Sequence, residues 1–317
     1  MELINKLLCI EYPVIQGGMA WIADADLATA VSEGGGLGVI AAGSAPGEMV
    51  REQIIRAKNK TNKPFGVNIA LISPFAEDIV DVVTDEKVPV VFTGAGNPGK
   101  YMDRLKAAGC KVIPVIPSVA LAKRMEGAGA DAVICEGMES GGHIGESTTM
   151  SLLPQVVSAV EIPVIAAGGI GDGRGVAAAF MLGALGIQVG TRFLVADECN
   201  VSEAYKDQII KAKDTSTVVT GRSVGRPVRV IKNRLMREMI DLEKEGIDVD
   251  SFEEKLSGSL RAAAMDGDME RGSIMSGQIA GMITKRQTAA EIIRELFEEA
   301  SMIYEEKRGI MELWRRI

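Results

Sequence analysis

A chain of 317 residues, 47% apolar and 25% charged, is long enough to bury a large core, either as one big α/β domain or as a domain with an appendage. A net charge of −8 with a pI near 5.0 argues against a nucleic-acid footprint over the whole protein. One histidine, and four cysteines that are far apart and never spaced Cys-x-x-Cys, leave no usual zinc or iron ligand set.

No run approaches about 18 uninterrupted apolar residues, and the first twelve residues carry acidic side chains and no small-residue cleavage site. No membrane span or signal peptide is therefore expected, and the reading is a cytoplasmic protein with reduced cysteines.

From residue 13 onward, short runs rich in Val and Ile alternate with helical patterns. Strands are predicted near 13–16, 37–41, 65–69, 88–93, 111–115, 131–135, 163–167 and 186–190, with helix-length segments such as 46–60, 98–108, 119–127 and 172–182 between them. The repeat is roughly 20 to 30 residues per strand–helix unit. Eight such units without a run of hairpins predict a (β/α)8 TIM barrel of the α/β class; a six-stranded open sheet with a second domain is the alternative.

The barrel would occupy 1–200. Residues 201–290 would then form a mainly helical extension contributing to the active site, and 291–317 a C-terminal helix packed on the barrel. Inside the extension, 201–250 reads as helix mixed with basic loop and 251–266 as a helix.

Active sites of such barrels lie at the C-terminal ends of the strands. The residues there are Gln16, Gly17, Gly18 and Met19, then Asn68, then Thr93-Gly-Ala-Gly96, then Glu136 with the following loop, then Ala167-Gly-Gly-Ile170, and finally Gly190 and Thr191. With no lysine among them, a Schiff-base mechanism is disfavoured, and the ligand set is poor for metal chemistry. Glycine and amide groups instead suit a bulky planar ligand that needs close main-chain approach.

The loop after the sixth strand, Glu136-Gly-Met-Glu-Ser-Gly-Gly-His-Ile-Gly-Glu146, holds His143, the only histidine. A histidine just past a strand end, on a glycine-rich backbone, is placed where α/β proteins carry chemistry. The interval from strand six to strand seven is about 32 residues by this reading, the longest in the barrel, and the loop accounts for the extra length.

The seventh and eighth units both run from glycines into a helix. Gly168 and Gly169 precede an expected N-cap at Asp172, and Gly190 and Thr191 follow strand eight. Paired backbone amides there predict a phosphate site, although the glycines could serve tight turns alone. A mononucleotide phosphate at that place, with Asn68 and Gln16 able to reach a polar ring edge, points to flavin mononucleotide (FMN).

These strings, in this order, resemble the flavin-dependent barrel group of nitronate monooxygenases and type II enoyl-acyl-carrier-protein reductases. They are Pro13-Val-Ile-Gln-Gly-Gly-Met19, Gly35-Gly-Leu-Gly38, Phe65-Gly-Val-Asn68, Glu136 through Gly-Gly-His143-Ile-Gly145, Ala166-Ala-Gly-Gly-Ile170 and Gln188-Val-Gly-Thr-Arg-Phe193. Further strings, Ser73-Pro-Phe75, Thr93-Gly-Ala-Gly-Asn-Pro98 and Ser276-Gly-Gln-Ile-Ala-Gly281 among them, are similar to the reductase branch.

The resemblance implies reduction of a trans-2-enoyl thioester on acyl carrier protein by NADH or NADPH through bound FMN, with His143 handling the proton at the α-carbon. In the monooxygenase branch, the alternative reading, the matching histidine takes a proton from a nitroalkane before O2 chemistry on the nitronate. By position, Gly18, Met19, Asn68, Glu136, Gly141, Gly142, Gly168, Gly169, Gly190 and Thr191 would contact FMN, with Gln278 approaching from the extension. Gly17, Thr93 and Ala167 join them as strand-end positions. The resemblance also implies a homodimer, and for some reductases a monovalent cation whose ligands it does not name.

One segment departs from the acidic balance. Arg222, Arg226, Arg229, Lys232, Arg234 and Arg237 fall within 16 residues without an acidic one. Arg226 and Arg229 are candidates for a phosphate of the dinucleotide or of the phosphopantetheine arm, or for the acidic carrier protein itself. No Rossmann fingerprint is present to decide between NADH and NADPH.

Overall fold

The computed structural model describes residues 3–43 and 45–314, with side chains through 308. Eight parallel strands form one sheet: β1 (Val14–Gln16), β2 (Gly38–Ala41), β3 (Phe65–Ala70), β4 (Val90–Gly94), β5 (Lys111–Ile116), β6 (Val133–Glu136), β8 (Val164–Ala167) and β9 (Gly186–Val189), where β7 (Gly142–His143) belongs to a second, smaller sheet. Neighbours pair in chain order from β2 to β9, and β9 returns to β1. The last seam closes through a bridge between Ile15 and Leu37, so the sheet is a barrel and the open-sheet alternative falls away.

Gln16 completes that seam. Its main-chain N–H reaches Leu37 O at 3.0 Å, and its side-chain Oε1 accepts from Val39 N–H at 3.0 Å. The side-chain amide thus supplies a rung that the short strand β1 lacks, which satisfies a buried polar group at the same time. Parity fixes this orientation: Ile15 points into the barrel with Leu37, Phe92 and Ile165, so Gln16 turns the other way. The expectation that Gln16 meets a bound ring is corrected accordingly.

The same alternation explains what the barrel mouth contains. Phe65, Val67 and Ile69 of β3 pack outward against helices, leaving Gly66 and Asn68 on the inner face. Val133 and Cys135 of β6 point outward, so Ile134 and then Glu136 point in. The helix Ile4–Leu8 plugs the opposite end, where Ile4 and Leu8 join the inner core and Ile4 lies against Gly186 at the start of β9.

Asp172 caps the helix Gly173–Met181 as predicted, accepting from Arg174 N–H at 3.0 Å and Gly175 N–H at 3.2 Å. The C-terminal helix Ala289–Trp314 packs over that helix and over Ala25–Glu33. Its crossing is close because Gly173 has no side chain to strike Ala300. The final residues of the predicted tail, 315–317, lie outside the described residues.

The extension differs from its expected helix-and-loop character. Residues Thr217–Thr220 (β10) and Val228–Ile231 (β11) form a hairpin, and β11 pairs antiparallel with β7, Val228 opposite His143 and Arg229 opposite Gly142. Two β-branched runs separated by a stretch containing Gly221, Gly225 and Pro227 are a legible hairpin signal; the cluster of arginines obscured it. The helix expected over 251–266 is Val249–Leu256 instead, broken at Gly258, whose φ of 72° lies outside helical space, before a short helix and a π-helical turn at Ala262–Asp266. Among the described residues no helix is long and apolar enough to cross a membrane.

Candidate active site

A cavity of about 580 Å³ opens at the C-terminal ends of the barrel strands, a size in the ordinary range for a cofactor or small ligand. Its walls come from the turn after β1 (Gly17 to Ala20), from Asn68, from Gly94 and Ala95, from Glu136 and residues 139–145, from Ala167 to Ile170, and from Gln188 to Thr191. The extension adds Gly225, Arg226, Pro227, Leu260, Met275, Gly277 and Ile279.

The His143 loop is not free backbone. Besides the pairing of β7 with β11, Ile144 N–H donates to Pro227 O at 3.1 Å and Met138 N–H to Ser147 O at 2.8 Å. The Glu139 carboxylate accepts from Thr149 N–H at 3.0 Å, tying the loop to the start of helix Thr149–Val157. Gln278 N–H donates to Glu139 O at 2.9 Å, and Gly277 N–H to Thr191 Oγ1 at 2.9 Å. Helix Thr149–Val157, the hairpin strand β11 and the segment at Gln278 therefore hold the loop that carries the histidine, a rigidity that would suit a positioned proton carrier.

Two glycines shape this mouth, one by letting main chain approach main chain and one by leaving space in the cavity. Gly168 has φ of 88°, and a Cβ there would lie 2.7 Å from Gly137 O, so no other residue fits. At Gly190 a Cβ would meet only Met19 Sδ, at 3.7 Å, and would project into the cavity. Outside the strand ladders the amides of Gly169 and Gly190 donate to no backbone acceptor among the described residues, a pair of main-chain donors that would suit an anion between the ends of β8 and β9. A flavin mononucleotide fits this donor set: a phosphate on these amides, and Asn68, Glu136 and Gln188 as polar side chains on the inner face for the ring and ribityl groups. Among the described residues no cluster of three or more His, Cys, Asp or Glu is arranged to hold a metal.

Two of the ionisable groups on the cavity wall, Glu136 and His143, are shifted in opposite directions. Burial pushes the Glu136 carboxyl up to about 7, with the nearby Ser140 hydroxyl pulling it back a little. Ser140 Oγ is itself buried without a partner of full hydrogen-bond geometry, so this pull is a weak one. The His143 imidazole is held below its usual value, first by loss of solvation, then by the positive charge of Arg226, with Glu253 acting the other way. His143 is exposed and lines the cavity wall, and the concave surroundings of that wall reduce its contact with bulk solvent.

The family model of nitronate monooxygenase matches residues 1–80 and 75–299. The chain belongs to the nitronate monooxygenase family. Within it, a probable nitronate monooxygenase of Staphylococcus aureus is 35% identical over 96% of this chain and 98% of its own. A (3aS,4S,5R,7aS)-5-hydroxy-7a-methyl-1-oxo-octahydro-1H-indene-4-carboxyl-CoA dehydrogenase of Mycobacterium tuberculosis is 34% identical over 94% and 95%. Among solved structures, FabK from Thermotoga maritima superposes with a TM-score of 0.95 at 51% identity, covering 98% of this chain and 99% of that one. A nitroalkane oxidase from Streptomyces ansochromogenes reaches 0.85 at 29% identity, covering 94% and 98%.

In this nitronate monooxygenase-family barrel, most of the residues singled out from the sequence come together around the cavity: Gly17, Gly18, Met19, Asn68, Glu136, Gly141, Gly142, His143, Ala167, Gly168, Gly169, Gly190, Thr191 and Arg226. Three do not. Thr93 is 2% exposed and follows the inward Phe92, so parity turns it out of the barrel, and Gly94 and Ala95 line the wall in its place. Gln278 stands outside while its neighbours Gly277 and Ile279 line the wall. Arg229 is buried, its guanidinium donating to Met138 O at 3.0 and 3.1 Å and to Thr217 Oγ1 at 3.1 Å. It is a clamp on the His143 loop rather than an anion contact. The cavity is also lined by Gln188, a polar residue within an apolar strand and so legible in the sequence, and by Ser140 and Met275, which carry no such signal.

Proposed function

We propose that the protein is an FMN-dependent enoyl-acyl-carrier-protein reductase using NADH or NADPH. The observation that carries this reading is the end-to-end likeness to FabK, a type II enoyl-acyl-carrier-protein reductase, at 51% identity, well above the 34–35% of the monooxygenase and dehydrogenase relatives. When bound, FMN supplies hydride transfer between nicotinamide and the β-carbon of the enoyl thioester. The chain's own part is to hold and to protonate. The amides at Gly169 and Gly190 bind the phosphate, Asn68 and Gln188 orient the ring by its polar edge, and Leu260, Ile144 and Ile279 exclude water. His143, fixed by β11, gives a proton to the α-carbon of the thioester.

Arg226 is the one cavity-lining member of the basic segment, and it serves as a contact for a phosphate of the pantetheine arm. Arg226→Ala is expected to raise KM for crotonyl-CoA about tenfold, the cost of one charge-assisted hydrogen bond, and to leave KM for crotonyl-N-acetylcysteamine, which has no phosphate, unchanged. An equal rise for both thioesters would remove the phosphate role. A homodimer is the expected assembly, to be read by sedimentation, and a requirement for a monovalent cation by activity with and without K⁺.

A second reading has a specific observation behind it. The depressed proton affinity of His143 favours neutral imidazole near pH 7, the form that abstracts a proton from a nitroalkane, as in a nitronate monooxygenase. The two roles give opposite slopes. As a donor, His143 must be protonated, so kcat/KM for enoyl thioester is expected to fall as pH rises through its lowered pKa. As a base on a nitroalkane, activity instead rises through the same range. Anaerobic oxidation of NAD(P)H by crotonyl thioester, set beside oxygen uptake with a nitronate and no dinucleotide, decides between the reactions. Oxygen uptake alone would overturn the reductase reading.

A further inference from the structure

We propose that Glu253 is a positioning residue of this active site, holding the Arg226 guanidinium at the wall of the cavity that carries His143. Glu253 sits in a run, Ser251-Phe-Glu-Glu-Lys255, with the look of an ordinary solvated helix face. Its place in the fold is not ordinary.

Arg226 lies in the turn between β10 and β11, closed on itself by Arg226 N–H to Gly221 O at 2.7 Å. Two helices grip that turn. From helix Arg234–Glu245, the Glu243 carboxylate accepts from Gly221 N–H at 2.7 Å and Ser223 Oγ at 3.0 Å. From helix Val249–Leu256, the ring of Phe252, 1% exposed, packs where Gly221 has no side chain; a Cβ there would be 3.0 Å from Phe252 Cζ. The buried ring delivers the next residue, Glu253, to Arg226, with Oε1 3.2 Å from Nε. Two residues on, Val228 stands opposite His143, so the turn, the ion pair and the histidine move as one unit.

The pair is about half exposed on both sides, 51% and 56%, and such a pair contributes little to stability. Its consequence is a field. Arg226 disfavours the imidazolium and Glu253 favours it; the balance depends on where Glu253 keeps the guanidinium. Other charges near this wall are already committed: Arg222 pairs with Glu146, Arg229 with the Met138 carbonyl, and Glu139 with Thr149. Glu136 lies on the cavity wall at the end of β6.

Because His143 is the only histidine, NMR of the FMN-loaded protein with isotope-labelled histidine gives one imidazole titration, readable without turnover. Arg226→Gln should move its midpoint upward. Glu253→Gln should displace the midpoint differently when Arg226 is present than in the Arg226→Gln background, where only the direct pull of its own charge is lost, and Glu253→Asp should rescue it; this non-additivity is what a positioning role produces. Equal displacement in both backgrounds would make Glu253 a direct through-space influence, and no displacement in either would make it a surface ion pair; each overturns the proposal. Only the kinetic meaning of the shift rests on the reductase reading. A failed titration cycle leaves enoyl reduction standing, and failure to reduce enoyl thioesters leaves the cycle intact.

Discussion

His143→Ala is expected to yield a yellow protein that still loads FMN and still accepts reducing equivalents from NAD(P)H, but turns over enoyl thioester about 10² to 10⁴-fold more slowly, the usual worth of one general acid–base group. The separation follows from the fold. The cavity walls proposed to hold the flavin come from the ends of β1, β3, β6, β8 and β9, whereas His143 arrives from a different sheet through β7 and β11. Removing its ring therefore leaves the cofactor's amide donors and inner-face side chains in place. Stopped-flow reduction without enoyl substrate, beside steady-state turnover with it, reads the two halves separately. Full turnover in the variant would take the histidine out of the mechanism.

Gly190→Val should lose the flavin without losing the fold. Gly190 has φ of −106°, open to any L-residue, and the space beyond its missing side chain is cavity, bounded only by Met19 Sδ at 3.7 Å. The added isopropyl group would occupy the place of the ligand, and overpacking of about 1–3 kcal/mol corresponds to roughly tenfold to hundredfold weaker binding. The contrast is Gly168→Ala, where positive φ and the approach of Gly137 O put the strain, of order 1–3 kcal/mol, into the protein itself. The ratio of flavin absorbance to protein absorbance and the melting temperatures of the flavin-stripped variants distinguish them. Wild-type flavin content in Gly190→Val would refute a cofactor site between β8 and β9.

The barrel was legible because each unit repeats the same local chemistry: a β-branched run, a glycine or amide at its end, an amphipathic helix. The position of His143 beyond the sixth strand was legible for the same reason, as were the paired glycines after β8 and β9. Gln16, Thr93 and Arg229 show where that legibility ends. All three are polar residues close to the right strand ends or segments, and all three turn away from the cavity. Gln16 repairs a seam, Thr93 falls on the outer face by parity with Phe92, and Arg229 neutralises the carbonyl of Met138. Their distinction from Asn68 and Arg226 is one residue of register, or one hydrogen-bond partner distant in sequence.

What the sequence by itself determined is what local periodicity and strand-end composition encode: eight strand–helix units, a glycine-lined mouth, a lone histidine in a long loop, and an ordered set of strings resembling flavin barrels. What only the tertiary structure decided is how the hairpin Thr217–Ile231 reaches back to make β7 its third strand, and how Glu253, 110 positions beyond His143, comes to hold the charge beside it. Those contacts join segments with no periodic relation to each other. They exist only because buried anchors, Phe252 under Gly221 and Arg229 under Met138, draw distant pieces of chain into one place.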